Sequence, residues 1–115
     1  MLKVGAKARI SLVVLIVAAV LGLPALVPAQ TKSAADIYRD KCAVCHGEDG
    51  AGKTAKGKKL KVKDVRETVK KLTAEQMAEV VAKGKDPDMD AFGKELTPDQ
   101  VKQIVAYYRG LAIKQ

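Results

Sequence analysis

Cys42-Ala43-Val44-Cys45-His46 constrains this chain more than any other five residues in it. Two thiols two residues apart, with an imidazole directly after the second, form the attachment sequence for a c-type haem. Each thiol adds to one vinyl group of the porphyrin, and the two linkages hold the macrocycle against the backbone. His46, next on the same short turn, is then placed as the proximal nitrogen ligand of the iron. A covalent haem cannot leave. A small chain can therefore hold a large cofactor and still expose its edge for electron exchange.

Other uses of the same residues fit less well. A thiol–disulfide redox pair belongs in a thioredoxin-like βαβ context, which the pattern of this chain lacks. A structural zinc needs four protein ligands, and the chain has two Cys and one His in total. No second CxxC or His pair exists to complete a tetrahedron.

The first residues read as targeting rather than fold. Lys3, Lys7 and Arg9 form a positive start, and Ile10 to Leu23 is apolar apart from Ser11 and Gly22. Pro24 and Pro28 break the chain, and Val27-Pro28-Ala29 supplies small residues at cleavage spacing. The expectation is a signal peptide over 1–29, cut after Ala29, and an exported or periplasmic domain over 30–115. An uncleaved anchor is the alternative. It is disfavoured because the apolar run is shorter than the roughly 20 residues a spanning helix needs, and extending it crosses Pro24.

Cleavage leaves one small domain, a marginal size for a hydrophobic core, and the haem would act as its staple. Three of the twenty-one bases and none of the thirteen acids lie before residue 30, which leaves eighteen bases against thirteen acids. Lys53, Lys56, Lys58, Lys59, Lys61 and Lys63 crowd one stretch. Export, the absence of Trp and the few aromatics argue against nucleic acid. Steering toward acidic faces of redox partners is one reading of the lysines, and a solvated basic loop is the other.

Three helix starts carry N-cap patterns: Ser33 with Asp36, Thr73 with Gln76, and Thr97 with Gln100, the last with Pro98 at the first helical position. Gly84 and Gly110 stand where the second and third of these helices should stop. Val62, Val65 and Val69 recur at helical spacing, so 64–71 is a further helical piece. Residues 47–61, with four glycines and many lysines, read as irregular loop. No segment alternates with period two, so the expected class is all-α, three to four helices around one haem. Val101, Ile104, Val105 and Tyr108 form one stripe of the last helix, with Tyr107 beside it. The face of the first helix is Ala34, Ile37, Tyr38 and Lys41, and the first helix is expected to pack on the last.

Placed in this order, the motifs resemble class I cytochromes c, in particular the short soluble mono-haem cytochromes of bacterial and photosynthetic electron transport. The resemblance covers about residues 34–111. It rests on Ala34, Tyr38, Cys42, Cys45, His46 and Gly47, on the loop Gly84 to Phe92 with Met89, and on the closing helix Ile104 to Leu111. It implies a small cytochrome c fold in which Tyr38, Phe92, Ile104 and Tyr107 pack against the haem. Gly is frequent in the family where Ala34 stands. Pro commonly follows the ligand Met, where this chain has Asp90. Many relatives also have a Pro after CxxCH whose carbonyl takes the histidine Nδ1 proton. None occurs between Pro28 and Pro87, so another carbonyl near Lys59 or Leu60 is expected to take it.

The second axial ligand must be argued separately. His46 is the only histidine, so bis-histidine coordination within this chain is excluded. Met77 lies inside a helix with Val80 and Val81 and reads as core filler. Met89 lies in a Pro- and Asp-rich loop, where a thioether is useful as a ligand, and the family pattern puts the ligand there. The expected function is one-electron transfer between redox proteins by a monomer, not catalysis, with membrane contact only through membrane-bound redox complexes or an uncleaved leader. A peroxidase or gas sensor with an open iron, and a tethered subunit of a larger complex, are the alternatives.

Overall fold

The computed structural model describes Gly22, Pro24 and residues 31–114, and the expected cleavage after Ala29 lies outside them. The chain divides into two units, residues 1–30 and 31–115, and the second is the one built around the CxxCH segment. Its described residues form six helices and no strand: α1 Ala34–Lys41, α2 Ala43–His46, α3 Ala55–Lys59, α4 Val65–Lys71, α5 Ala74–Lys83 and α6 Pro98–Leu111. None is long and apolar enough to cross a membrane.

The helices begin where side chains can take up the unpaired N–H groups of a first turn. Ser33 accepts from the Asp36 amide at the start of α1, and Asp64 accepts from the Arg66 amide before α4. Thr73 and Thr97 form full capping boxes with Gln76 and Gln100, each side chain bonding the other residue's backbone, and Pro98 opens α6. Each such cap contributes about 1 kcal/mol to its helix. The helix ends are less regular. Gly84 closes α5 as expected, but α6 runs through Gly110 and closes at Ala112. Leu111 explains the difference: it is 6% exposed, so its burial holds the helix one residue past Gly110.

Two short helices were not expected. α2 is the CxxCH segment itself, and α3 lies inside the stretch read as loop. Thr54 caps α3 by accepting from the Gly57 amide. The local cap acts together with a bond from Thr54 to the Val44 carbonyl, so this turn is held by tertiary contact in a sequence whose glycines and lysines carry no helical periodicity.

The core joins Ile37, Tyr38, Ala43, Val65, Leu96, Val101, Ile104 and Leu111. α6 supplies its long wall and packs on α1, α4 and α5. The α1–α6 contact is the expected one. Ile37 and Tyr38 are buried in it, and Ala34 is partly buried. Lys41 departs from that face: it is exposed, and its ammonium reaches Glu95 at 2.7 Å. Met77 is 4% exposed, a core filler as expected.

Candidate functional site

α1 and α2 meet at Cys42, whose amide donates to the Tyr38 carbonyl at 2.8 Å while its own carbonyl accepts from His46 N at 2.9 Å. The helical turn that results puts Cys42 and Cys45 three residues apart on one face, with His46 four from Cys42. Gly47 stops the turn at φ +80°, a conformation L side chains rarely adopt. Both thiols are free and half-buried. Val44 between them is 55% exposed, so the segment lies at the surface with one face turned inward. Burial pushes the Cys42 thiol up to about 11. A disulfide-exchange pair needs the opposite shift, toward thiolate.

His46 is held in a dry place. Burial lowers its pKa, which keeps the imidazole neutral, the form that binds a metal. Its Nδ1 is buried and has no hydrogen-bond partner. The carbonyl expected near Lys59 or Leu60 does not take it. Leu60 lies at the end of α3, where the local turn directs carbonyls along the chain: the Lys58 carbonyl accepts from Lys61 N at 3.2 Å. A neutral imidazole with an uncommitted buried nitrogen, one residue from a free thiol and four from another, fits a covalently attached haem. Cys42 and Cys45 would hold the macrocycle, and His46 would supply a nitrogen to its iron. Among the described residues no cluster of three or more His, Cys, Asp and Glu is gathered as in a bare metal site.

The lysine-rich stretch grips this segment through its backbone and one threonine. Thr54 Oγ1 donates to the Val44 carbonyl at 2.7 Å and lies 3.3 Å from the Cys45 carbonyl, while accepting from Gly57 N at 2.9 Å. Gly52 N donates to the His46 carbonyl at 2.8 Å. Gly57 packs so tightly that a Cβ on it would collide with the Cys45 carbonyl oxygen. All six lysines of the stretch are exposed on this base. Sequence reasoning placed the charge but missed the clamp. The Thr54–Gly57 spacing, a cap and an amide three residues on, was its only signal.

The remaining expected residues are gathered unequally. Tyr38 and Ile104 lie in the core, with Cys42, Phe92 and Tyr107 packed against it. The Tyr38 ring meets Tyr107 at 5.2 Å, and its hydroxyl donates to the Gly47 carbonyl at 2.7 Å. Met89 stands outside that cluster, half-buried on a turn where Lys85 and Met89 exchange both backbone hydrogen bonds at 2.8 Å. That turn is tied back onto α5 by Phe92 N to Val81 O and Gly93 N to Ala82 O. The structure also adds Tyr108. Its ring lies 5.3 Å from the His46 ring at an interplanar angle of 74°. Helical periodicity put Tyr108 in the apolar stripe but could not say what the stripe would face.

A family model described as cytochrome c oxidase, cbb3-type, subunit III matches residues 29–107. Among solved structures, the chain is similar to the c-type cytochrome KustC0563, at 30% identity and a TM-score of 0.64, over 70% of this chain and 98% of that one. A mutant of Kustc0563 is similar at 29% identity and a TM-score of 0.63, over 70% and 99% of the two chains. Comparison with curated proteins gives no match.

The Gly57 contact makes the clamp testable. Gly57→Ala forces the Cys45 carbonyl and α3 apart and is expected to destabilise the haem-loaded protein by about 1–3 kcal/mol. Thermal unfolding followed in the haem absorbance checks it, and an unchanged midpoint would show that the clamp is slack.

Proposed function

The chain belongs to the family of the cbb3-type cytochrome c oxidase subunit III and is a c-type cytochrome with covalently bound haem c, and from that premise we propose that it carries single electrons between redox proteins outside the cytoplasm. His46 is the observation that carries this reading: a half-buried imidazole with its Nδ1 buried, on the same turn as two free thiols. When bound, the haem supplies the one-electron change at its iron.

In this reading Cys42 and Cys45 would attach the haem, and His46 and Met89 would supply ligands to its iron. Two ligands that stay in place would leave little to rearrange on transfer, and the Met89 thioether would favour the reduced form. The half-buried position of Met89, outside the apolar cluster, supports a use other than packing. Tyr38, Phe92, Ile104 and Tyr107, gathered in or against the core, would exclude water from the haem. The chain has no second histidine to serve as an acid–base group at the iron, which favours a carrier over a peroxidase. The exposed lysines of 53–63 stand on the backbone that holds the CxxCH segment, which supports docking of acidic partner faces there. The leader pattern expected over 1–29 supports export.

The family's description names an oxidase subunit, and this favours one second reading, a cytochrome that remains tethered in a larger complex. Intact mass separates the two. A free carrier is expected to have the mass of residues 30–115 plus one haem, and a retained leader would favour the tethered subunit.

Met89→Ala is expected to keep the covalent haem, lower the reduction potential and let the ferrous iron take up carbon monoxide. An unchanged potential with no carbon monoxide binding would remove Met89 as a ligand. Reversing Lys58 and Lys59 to Glu is expected to slow association with an acidic redox partner about tenfold at low ionic strength, an effect that fades with added salt. Equal stopped-flow rates at low salt would leave the lysines as a solvated loop.

A further inference from the structure

His46 presents an unsolved positioning problem. A metal-bound histidine ordinarily donates its second ring N–H to a carbonyl or carboxylate, which fixes both tautomer and ring orientation. Here Nδ1 is buried and has no such acceptor. The backbone around it is committed elsewhere: the His46 carbonyl accepts from Gly52, and its amide donates to Cys42. Hydrogen bonding therefore fixes where the residue is, but not how the imidazole is turned about its Cβ–Cγ bond.

One side chain is shaped and held to set that rotation. Tyr108, on α6, meets the imidazole edge to face at 5.3 Å and 74°. Aromatic rings favour this geometry because a positive edge meets a negative face, with about 0.5–1.5 kcal/mol beyond the area buried. Tyr108 is itself restrained. It lies nearly parallel to Tyr38 at 6.1 Å and 29°, and Tyr38 is pinned by its hydroxyl to the Gly47 carbonyl.

We propose that Tyr108 is the positioning residue for the His46 imidazole, setting the plane of the ligand ring by edge-to-face contact in place of a hydrogen bond to Nδ1. This rests on His46 being an iron ligand. A ligand oriented by a ring rather than by an acceptor keeps its Nδ1–H unpolarised, so it donates less charge to the iron than a hydrogen-bonded histidine would. The proposal thus ties one α6 residue to both the orientation and the donor strength of the proximal ligand.

The test uses the haem-loaded protein and the paramagnetic NMR spectrum of its ferric form, in which the spread of the haem methyl shifts reports the planes of the axial ligands. Tyr108→Phe keeps the ring and is expected to keep the wild-type spread. Tyr108→Leu removes the ring and is expected to change the spread and the order of the methyl signals. Val105→Ala, a buried truncation on the same helix, should lower the thermal midpoint while leaving the spread alone. A wild-type spread in Tyr108→Leu would overturn the proposal. In the ferrous wild-type protein, nuclear Overhauser contacts between the Tyr108 and His46 rings are expected, and their absence would overturn it without any variant. The two readings fail separately. Ring protons of His46 without the shifts of an iron ligand would remove the ligand assignment, whereas shifted His46 protons with an unmoved Tyr108→Leu spectrum would remove Tyr108 alone.

Discussion

Tyr38 is the residue on which the arrangement of this small domain depends. It is 2% exposed, at the middle of α1, and it reaches three other parts of the chain at once. Its backbone carbonyl takes the Cys42 amide, its hydroxyl bonds Gly47 just past the CxxCH turn, and its ring meets two tyrosines of α6. A buried hydroxyl left unpaired would cost about 1–3 kcal/mol, so the Gly47 bond both satisfies Tyr38 and fixes the exit of the turn. The first helix, the attachment segment and the last helix are thereby set against one another by a single side chain.

A second set of constraints acts from the opposite side of that turn. Thr54, Gly52 and Gly57 bond or crowd the carbonyls of Val44, Cys45 and His46, so the segment carrying both thiols is gripped at successive peptide units. The turn is short and would not persist alone, since one helical turn cannot offset its own nucleation cost. Tertiary hydrogen bonds on both sides supply what its length cannot.

The legible part of this structure was the part written in local chemistry. The caps at Ser33, Thr73 and Thr97 are side-chain to backbone bonds within four residues, Gly84 closes its helix through its own backbone, and the helix after Asp64 repeats its valines at helical spacing, so the sequence displays all of them directly. The all-α class followed from these helix signals and from the lack of any segment alternating with period two. What could not be read depends on contacts between distant residues. Gly110 stays helical because Leu111 is buried elsewhere in the core. α3 forms because Thr54 is also bonded to Val44, ten residues earlier. The bare Nδ1 of His46 reflects the path of the chain after Gly47, and Tyr108 reaches it across 62 positions of sequence. Periodicity identified the stripe containing Tyr108, but only the packing of α6 gave the stripe its neighbour.

The clamp on the attachment turn is made by backbone atoms, one threonine hydroxyl and two glycines, and none of the six lysine side chains from Lys53 to Lys63 takes part in those bonds. Geometry and charge in that stretch therefore reside on separate atoms. The electrostatic character of the surface can be rewritten, lysine by lysine, while the seat of the cofactor keeps its shape. For such a protein, a change of partner would require new side chains and no new fold.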